Sequence, residues 1–409
     1  MIFLRHFVIR AVFMKKIINI LAICCLAIIS GCSSTPERET LPAELISQAS
    51  IPGVPAARFW GDEWPKFSME RFNNWTDAEF KENMPASYDV AHNYLAISGG
   101  GANGAFGAGL LVGWTAQGTR PVFNMVTGVS TGALTAPFAF LGSDYDDKLT
   151  EVFTTVTTKD IAHKRSLIGA LMADSMTDTA PLKVLIRKYI TPEVIAAIGE
   201  QHVQGRRLYI GTVNLDAARS VIWNIGAIAT SDYPDKNTLI REIMRASAAI
   251  PVAFPPVIIQ VEADGKPYDE MHVDGGTGSQ VFVYPAAADW KEITKKLKVK
   301  GKPNVYVIRN AFLKPDYNGV VRSVMPIAGR SIASLIRTQG IGDLYQIYAL
   351  CYRDGNNFNL AYIPESFTEV PTEGFDPVYM GKLYSRGYNM AFEGYPWEHS
   401  PPGFINDKK

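Results

Sequence analysis

Cysteine is scarce in this sequence, and neither sign of charge is in excess. Four cysteines occur in 409 residues, and three of them lie near the start of the chain: Cys24, Cys25 and Cys32. Cys351 alone remains for the rest, so we expect it to be a small buried hydrophobic residue, and we expect no disulfide framework. The 40 basic residues equal the 40 acidic ones, and this balance gives no support to nucleic-acid binding.

Metal-ligand spacing, internal repeats and low-complexity tracts are also missing. The six histidines form no cluster with cysteines or carboxylates at the spacing of a metal site. We therefore expect no metal and no cofactor. The length and the ordinary hydrophobic fraction of 47% leave room for one large α/β domain with extensions.

The N-terminus has the pattern of a targeting segment. Lys15 and Lys16 precede an apolar run over residues 17–29, which is short for a membrane span, and Ser30-Gly31-Cys32 follows. This order resembles a bacterial lipoprotein signal, which implies that residues 1–31 are removed and that Cys32 is acylated. An uncleaved anchor helix is the alternative.

The residue after the cysteine predicts the location of the protein in the cell. Ser33 is not a signal for retention in the inner membrane, so we expect a lipid-anchored protein of the bacterial cell envelope, on the outer membrane and facing the periplasm. Met14, directly before the two lysines, is an alternative start to Met1. Residues 32–90 are predicted to be a tether followed by an aromatic-rich segment, which either packs on the main domain or touches the membrane.

A glycine-rich stretch begins at residue 92. An apolar run, predicted to be a strand, ends in Gly99, Gly100 and Gly101, and Gly104 opens a predicted helix over residues 104–117. Glycines let several backbone N–H groups converge on one point at a helix N-terminus, where negative charge is favoured. The stretch therefore predicts a loop that binds an anion or an oxyanion.

A second predicted strand, over residues 123–126, is followed by Gly128-Val129-Ser130-Thr131-Gly132. The pattern G-x-S-x-G is typical of a sharp strand-to-helix turn that exposes a nucleophilic serine. Two strands joined by one helix would be parallel neighbours, which places the glycine loop beside Ser130. A nucleotide-binding loop is the alternative because the glycines also fit G-x-G-x-x-G, although no acidic residue ends a second strand at the expected spacing.

The rest of the chain alternates predicted strands and helices. We predict strands over residues 207–214, 220–225, 257–261, 271–273, 303–309 and 359–363, and helices over 131–141, 239–249, 323–352 and 376–392. One of these strands ends in Asp274-Gly275-Gly276, which places a carboxylate at a strand end.

In this order, the three motifs resemble those of the patatin-like phospholipase family. The similarity covers about residues 94–285, and residues 246–255 (ASAAIPVAFP) also resemble a family segment. The resemblance implies an α/β fold, a three-layer α/β/α sandwich with a mainly parallel central sheet, in a catalytic domain over residues 91–290. Residues 291–409 would be a C-terminal extension that packs on it.

The resemblance further implies lipid acyl hydrolysis by a serine–aspartate dyad without histidine. Ser130 would be the nucleophile, and Asp274, in its motif with Gly275 and Gly276, would be the base. The oxyanion hole would be formed by the backbone of Gly99, Gly100, Gly101, Ala102, Asn103 and Gly104. The family usually has Asp at the position of Ser98 and a basic residue at that of Asn103. The neutral Asn103 brings no positive charge to the loop, which bears on substrate preference and leaves the backbone donors intact.

A dyad of this kind suits ester cleavage. Aspartate at its ordinary pKa is a weaker base than histidine by about 2.5 pH units, burial would raise its pKa, and an ester alcohol leaves more readily than an amine. We therefore predict a lipid acyl hydrolase of phospholipase A, lysophospholipase or esterase type, with membrane lipid as substrate.

Two alternatives stay open. A Ser-His-Asp triad would use one of the histidines that follow Ser130, and His272 would point to the same face of its strand as Asp274; the others are His163, His202 and His399. A non-catalytic, lipid-binding envelope protein on a decayed hydrolase fold is the second alternative, and the neutral Asn103 is its main support.

Overall fold

The computed structural model describes residues 38–166, 173–315, 317 and 319–404. The predicted signal peptide and the lipidation site Cys32 lie outside these residues. The described strands are β1 (Arg58–Trp60), β2 (Asn93–Ile97), β3 (Met125–Gly128), β4 (His163–Lys164), β5 (Thr177–Asp178), β6 (Arg207–Asn214), β7 (Arg219–Asn224), β8 (Val257–Ala263), β9 (Lys266–Asp274), β10 (Asn304–Arg309) and β11 (Asn357–Tyr362).

The described helices alternate with these strands. They are α1 (Lys66–Asn74), α2 (Asp77–Asn83), α3 (Gly104–Ala116), α4 (Thr131–Leu141), α5 (Asp146–Thr155), α6 (Thr158–Ile161), α7 (Ala180–Tyr189), α8 (Pro192–Val203), α9 (Ile225–Ala229), α10 (Lys236–Ser247), α11 (Trp290–Lys296), α12 (Val324–Asp354) and α13 (Pro377–Phe392). None of them combines the length and apolar character needed to cross a membrane.

Nine of the described strands form one sheet in the order β1-β7-β6-β3-β2-β10-β11, with β9 paired to β6 and β8 paired to β9. The central strands β6, β3, β2, β10 and β11 are parallel, whereas β1, β7, β8 and β9 join antiparallel. Helices cover both faces of the sheet. The predicted α/β fold with a mainly parallel central sheet is confirmed.

Side chains along each strand point alternately to the two faces of the sheet, and each face has its own hydrophobic core. In β2, Leu95 and Ile97 belong to one buried cluster and Tyr94 and Ala96 to the other, because successive side chains of a strand point to opposite faces. The first cluster lies under α3, α4, α10 and α13, and the second lies under α11 and α12. Both faces of the strands are apolar, as expected for a sheet buried between helices.

Helices α3 and α13 touch through their backbones. A Cβ on Gly109 of α3 would meet the carbonyl oxygen of Tyr384, and a Cβ on Gly387 of α13 would meet that of Phe106. The glycines inside α3 therefore permit a close helix crossing, whereas the glycines before it form a loop.

Helix α12 runs antiparallel to the neighbouring strands. It ends at Asp354, close to the first residue of β11, and its second half packs on the sheet through Leu344, Ile347 and Leu350. Its first half lies outside the body of the fold, because nearly every described side chain from residue 324 to 336 is exposed. The helix therefore extends past one edge of the sheet.

The aromatic-rich segment before β2 packs on the second core. Phe80 of α2 lies 5.4 Å, ring centre to ring centre, from both Phe72 and Trp75, and it is 2% exposed. Trp64 contacts Trp290 of α11 edge to face. β1, from the same segment, forms an edge of the sheet by pairing with β7.

Candidate active site

Ser130 occupies the sharp turn between β3 and α4. Its backbone has φ 56° and ψ −126°, a conformation that is strained for a residue with a side chain. The flanking glycines make this turn possible: a Cβ on Gly128 would meet the carbonyl oxygen of Gly132, and a Cβ on Gly132 would meet that of Ile97. The turn directs the Ser130 side chain away from the sheet, at the N-terminus of α4.

Strand β6 aligns Ser130 with Asp274. Gly128, the last residue of β3, pairs with Ile210 in parallel register, and Asp274, the last residue of β9, pairs with Thr212 in antiparallel register. The strands β3 and β9 therefore approach each other end to end along the same side of β6. Their ends lie two β6 residues apart, which corresponds to about 7 Å. One strand thus fixes the relative position of both candidate catalytic residues.

The side chains of Ser130 and Asp274 meet in a nearly closed site. Ser130 is 8% exposed and Asp274 is 6% exposed. Burial raises the pKa of Asp274 to about 6, while hydrogen bonds from the Ser130 side chain and from the Gly276 N–H act in the opposite direction. The Gly276 N–H donates to Asp274 Oδ1 over 2.7 Å. This carboxyl group is therefore a much stronger base than a solvated aspartate.

Ser247, the last residue of α10, holds the backbone of the turn. Its hydroxyl accepts a hydrogen bond from the Ser130 N–H at 3.0 Å and donates to the Gly211 carbonyl oxygen at 2.7 Å. Gly211 lies between the β6 residues that pair with β3 and β9. Ser247 therefore fills the gap between the two strand ends. In the sequence, Ser247 is distinguished only as part of the segment 246–255, and no local pattern indicates this role.

The glycine loop (residues 98–104) lies beside Ser130 and contains free backbone donors. The N–H of Gly99 donates to the Gln280 carbonyl oxygen at 3.2 Å, and that of Asn103 donates to Gly100. The Gly104 N–H is used within the turn. Among the described residues, no acceptor is present for the N–H groups of Gly100, Gly101 and Ala102. Three of the six residues predicted to form the oxyanion hole therefore have a backbone N–H that is free in the described structure.

Asn310, directly after β10, fixes the glycine loop. Its side-chain amide donates to the Ser98 carbonyl oxygen at 3.0 Å and its Oδ1 accepts the Gly107 N–H at 3.1 Å. Its own N–H donates to Ser98 Oγ at 2.9 Å. The sequence did not indicate this role, because only the sheet order, with β10 beside β2, brings residue 310 to the loop.

Asn103 is turned toward the C-terminal helix. Its Oδ1 accepts a hydrogen bond from the Tyr379 hydroxyl of α13 at 2.7 Å. The side chain that replaces the usual basic residue of the family therefore ties the glycine loop to α13.

None of the histidines in the described part of the chain contacts Ser130. His272 is fully buried, and both of its ring nitrogens are engaged, one with Thr212 Oγ1 and the other with Glu270, each at 3.0 Å. Glu270 in turn forms a buried ion pair with Arg58. His163 lies exposed in β4 and His202 lies in α8, while His399 contacts the Phe358 carbonyl oxygen. The alternative of a histidine triad therefore finds no geometric support.

A cavity of about 640 Å³ lies next to the dyad. Val129 and Gly275, the chain neighbours of Ser130 and Asp274, form part of its wall, together with aromatic residues that include Tyr209, Tyr284 and Trp290. Ser130 and Asp274 themselves are not part of the lining. In the described chain, no group of three His, Cys, Asp or Glu side chains is arranged to hold a metal ion.

The fold and these motifs are similar to those of a known class of protein. Residues 95–287, slightly less than half of the chain, match the family model of patatin-like phospholipases. The matched segment contains the glycine loop, the Ser130 turn and Asp274. No curated protein matches the chain.

Among solved structures, the chain is similar to VipD from Legionella pneumophila. The identity is 12% and the TM-score is 0.35, over 75% of this chain and 66% of that one. The chain thus spans slightly less than two thirds of the VipD structure. A likeness of this strength transfers no residue role.

Proposed function

We propose that this protein hydrolyses carboxylic ester bonds of membrane lipids, with Ser130 as nucleophile and Asp274 as general base. The observation that carries the proposal is the contact of a serine in a strained strand-to-helix turn with a buried carboxylate whose pKa is raised to about 6. A serine and a base in hydrogen-bond contact are the signature of nucleophilic catalysis.

The raised pKa suits the first step. Near pH 7, a group with a pKa of about 6 is mostly ionised and still has an appreciable affinity for a proton, which is the best compromise for a general base. Asp274 accepts the proton of Ser130 as Oγ attacks the acyl carbonyl carbon. The Gly276 N–H keeps the carboxylate in place during the transfer.

The free amides of the glycine loop supply the second element. As Oγ attacks, the carbonyl oxygen becomes negative, and the N–H groups of Gly100, Gly101 and Ala102 are available to bind it. Each donor of this kind is worth about 10²–10³ in rate. The loop also precedes α3 directly, so the positive end of that helix favours the same charge.

The remaining steps follow from the same groups. Asp274 returns its proton to the departing alcohol, which leaves an acyl group on Ser130. Water, activated by Asp274, then releases the fatty acid. An alcohol needs less protonation at departure than an amine, and an aspartate is a weak acid catalyst compared with histidine, so esters are the fitting substrates.

We extend the proposal to the site of action. The lipoprotein-like pattern around Cys32 supports acylation of that cysteine and a position on the bacterial outer membrane, facing the periplasm. An anchor of this kind would keep the dyad close to its lipid substrate. Radioactive or click-labelled fatty acid should be incorporated into the wild-type chain, and Cys32→Ser should abolish it.

The full chain in mild detergent tests the chemistry. We expect it to hydrolyse a chromogenic fatty ester and to react with a fluorophosphonate probe, which labels only activated serines. Ser130→Ala should lose both properties, and Asp274→Asn should lose turnover. Ser385→Ala, an exposed serine on α13, is the matched control and should retain both. A wild-type chain that neither turns over nor reacts with the probe would indicate a lipid-binding protein without catalysis.

A further inference from the structure

Most described residues in the first half of α12 are exposed. Residues 324–340 are here called the projecting segment, and among its positions with described burial only Gly340 is buried. Its apolar side chains are exposed to an unusual degree, from 38% at Ile336 to 69% at Leu335 and 81% at Val324. Exposed apolar surface of this extent indicates an interaction site.

The geometry of α12 places this segment at the edge of the sheet that carries Ser130. Residues 341–354 pack along the sheet and span about 21 Å at the helical rise, which matches the length of about 20 Å expected for the six-residue strand β10. The packed part therefore ends level with the carboxyl ends of the strands. A Cβ on Gly340 would meet the guanidinium group of Arg309, the last residue of β10, which agrees with this position.

The base of the projecting segment is tied to the candidate active site. Gln339 donates its side-chain amide to the carbonyl oxygen of Gly278, in the turn after Asp274. Asp343 accepts the N–H of Gln280 at 2.6 Å, and the Gln280 carbonyl oxygen accepts the Gly99 N–H of the glycine loop. From this base, the segment extends about 25 Å beyond the sheet.

The segment and the residues just before it contain basic residues and no acidic ones. Between residues 317 and 342 the chain contains Arg322, Arg330 and Arg337 and no acidic residue. At 3.6 residues per turn, Arg330 and Arg337 fall on one side of the helix. The opposite side, an arc of about 120°, contains Val324, Ile332, Leu335 and Ile336. Apolar and cationic faces on one exposed helix are typical of helices that lie in the interface of a membrane.

A second exposed apolar surface lies across the dyad. The loop after α10 carries Ile250, 38% exposed, and Val252, 57% exposed. This loop borders the site directly, because the Asp274 N–H donates to the Ala249 carbonyl oxygen at 2.9 Å. Met176, which donates its N–H to Val252, adds a side chain that is 48% exposed. The dyad therefore lies between two apolar surfaces at one edge of the molecule.

We propose that the projecting segment docks this edge onto a bilayer that contains anionic phospholipid. The apolar face enters the acyl region, and the arginines meet the phosphate groups. A second copy of the chain is a poorer occupant, since it would bring the arginines of one segment against those of the other. The docking is independent of the chemistry, and only its consequence, presentation of lipid esters to Ser130, rests on the proposed function.

Hydrogen–deuterium exchange on the full chain tests the docking locally, whether or not the N-terminus is acylated. The Ser130→Ala variant is used so that the vesicles stay intact. With vesicles of phosphatidylglycerol and phosphatidylcholine, peptides from residues 320–340 should exchange at least about fivefold more slowly, as expected from the contribution of even one arginine at an anionic surface. With phosphatidylcholine alone the slowing should be much weaker. Peptides over residues 118–124, at the opposite edge, provide the internal reference.

Two results would overturn the proposal. One is an exchange rate of residues 320–340 that is the same with and without anionic vesicles. The other is protection that grows with protein concentration in the absence of vesicles, because a second copy of the chain would then cover the segment.

A matched pair of variants tests the consequence. Leu335→Glu should reduce hydrolysis of vesicle lipid about tenfold, through the loss of one buried leucine and the added charge, and should leave hydrolysis of a soluble short-chain ester unchanged. Val122→Glu, at a residue that is 70% exposed just before β3, should change neither rate. Equal loss on both substrates in Leu335→Glu would count against docking. If the wild type hydrolyses neither ester, the proposed chemistry fails and the exchange result still decides the docking.

Discussion

Ser247 lies 117 positions beyond Ser130 in the chain, yet its hydroxyl accepts the Ser130 backbone N–H at 3.0 Å. The same hydroxyl donates to Gly211 of β6, so a single buried side chain connects the Ser130 turn to the strand that aligns it with Asp274. The turn has a strained backbone, and such strain persists only where the surroundings oppose its release.

Removal of the Ser247 hydroxyl should therefore affect catalysis as well as stability. In Ser247→Ala, the Ser130 N–H loses its buried acceptor, which costs about 1–3 kcal/mol. We expect a similar fall in the free energy of unfolding, measured by urea denaturation, and a loss of about tenfold in kcat, since the turn is free to relax. Ser87→Ala removes a buried serine hydroxyl that donates to Gly205, far from the site. It should reduce stability and leave kcat unchanged, and equal kinetic effects in the two variants would argue against a positioning role.

The pH dependence of kcat/KM should report Asp274. The carboxylate must be ionised to accept the Ser130 proton, and its pKa is raised to about 6 by burial. The logarithm of kcat/KM should therefore rise with a slope of one below about pH 6 and level off above it. The measurement needs a neutral ester over pH 4–8. A slope of zero through this range would contradict the assignment of the base.

The same shift predicts a pH-dependent stability difference between the wild type and Asp274→Asn. The folded protein holds the Asp274 proton more tightly than the unfolded chain does. The stability that this proton provides is complete below about pH 4 and is lost as the pH rises through about 6. Asp274→Asn keeps an oxygen for the Gly276 N–H and never ionises. The difference between the two free energies of unfolding, Asp274→Asn minus wild type, should therefore be about 1–3 kcal/mol larger at pH 8 than at pH 4. A difference that is the same at both pH values would exclude a buried, shifted carboxyl group.

Loss of the Asn310 side chain should displace the oxyanion donors. Asn310→Ala removes the side-chain bonds to Ser98 of the glycine loop and to Gly107 of α3, so we expect a fall of about 10–100-fold in kcat with little change in KM. Asn359→Ala is the control, since this buried amide donates to Val305 within the sheet. It should leave kcat unchanged. An Asn310→Ala variant that changes only KM would place the residue in substrate binding.

His272 should prove structural. Its two ring nitrogens are bound to Thr212 and Glu270, so His272→Gln should weaken the fold and leave kcat within about threefold of the wild type, a change below 1 kcal/mol. The inflection of the pH profile should stay in place. Loss of activity comparable to that of Ser130→Ala would restore the triad alternative.

The local parts of the site could be predicted from sequence. The glycine loop and the Ser130 turn are encoded by short patterns, G-G-G-x-x-G and G-x-S-x-G. Most of their glycines leave no room for a Cβ, and Gly101 has a positive φ of 55° that favours glycine. The predicted helix over residues 131–141 has the bounds of α4, and the strand predicted over residues 207–214 has those of β6. Such elements depend mainly on near neighbours in the chain.

The supporting residues could not be predicted, for a physical reason. Asn310 and Ser247 reach the site only because β10 lies beside β2 and because α10 ends against β6. Strand order follows from the packing of the whole sheet, and no local pattern records it. The same holds for the alignment of β3 and β9 along β6, on which the contact between Ser130 and Asp274 depends.

The backbone contact between α3 and α13 bears on where the working unit of this chain ends. The glycine loop continues directly into α3, and the outer side of α3 rests on a helix that begins only at Pro377. A chain that stopped at residue 287, where the family match ends, would keep all three motifs and would expose the helix that supports the first of them. Shortening this protein to the matched residues would therefore remove α13, the helix that supports α3 and, through it, the glycine loop.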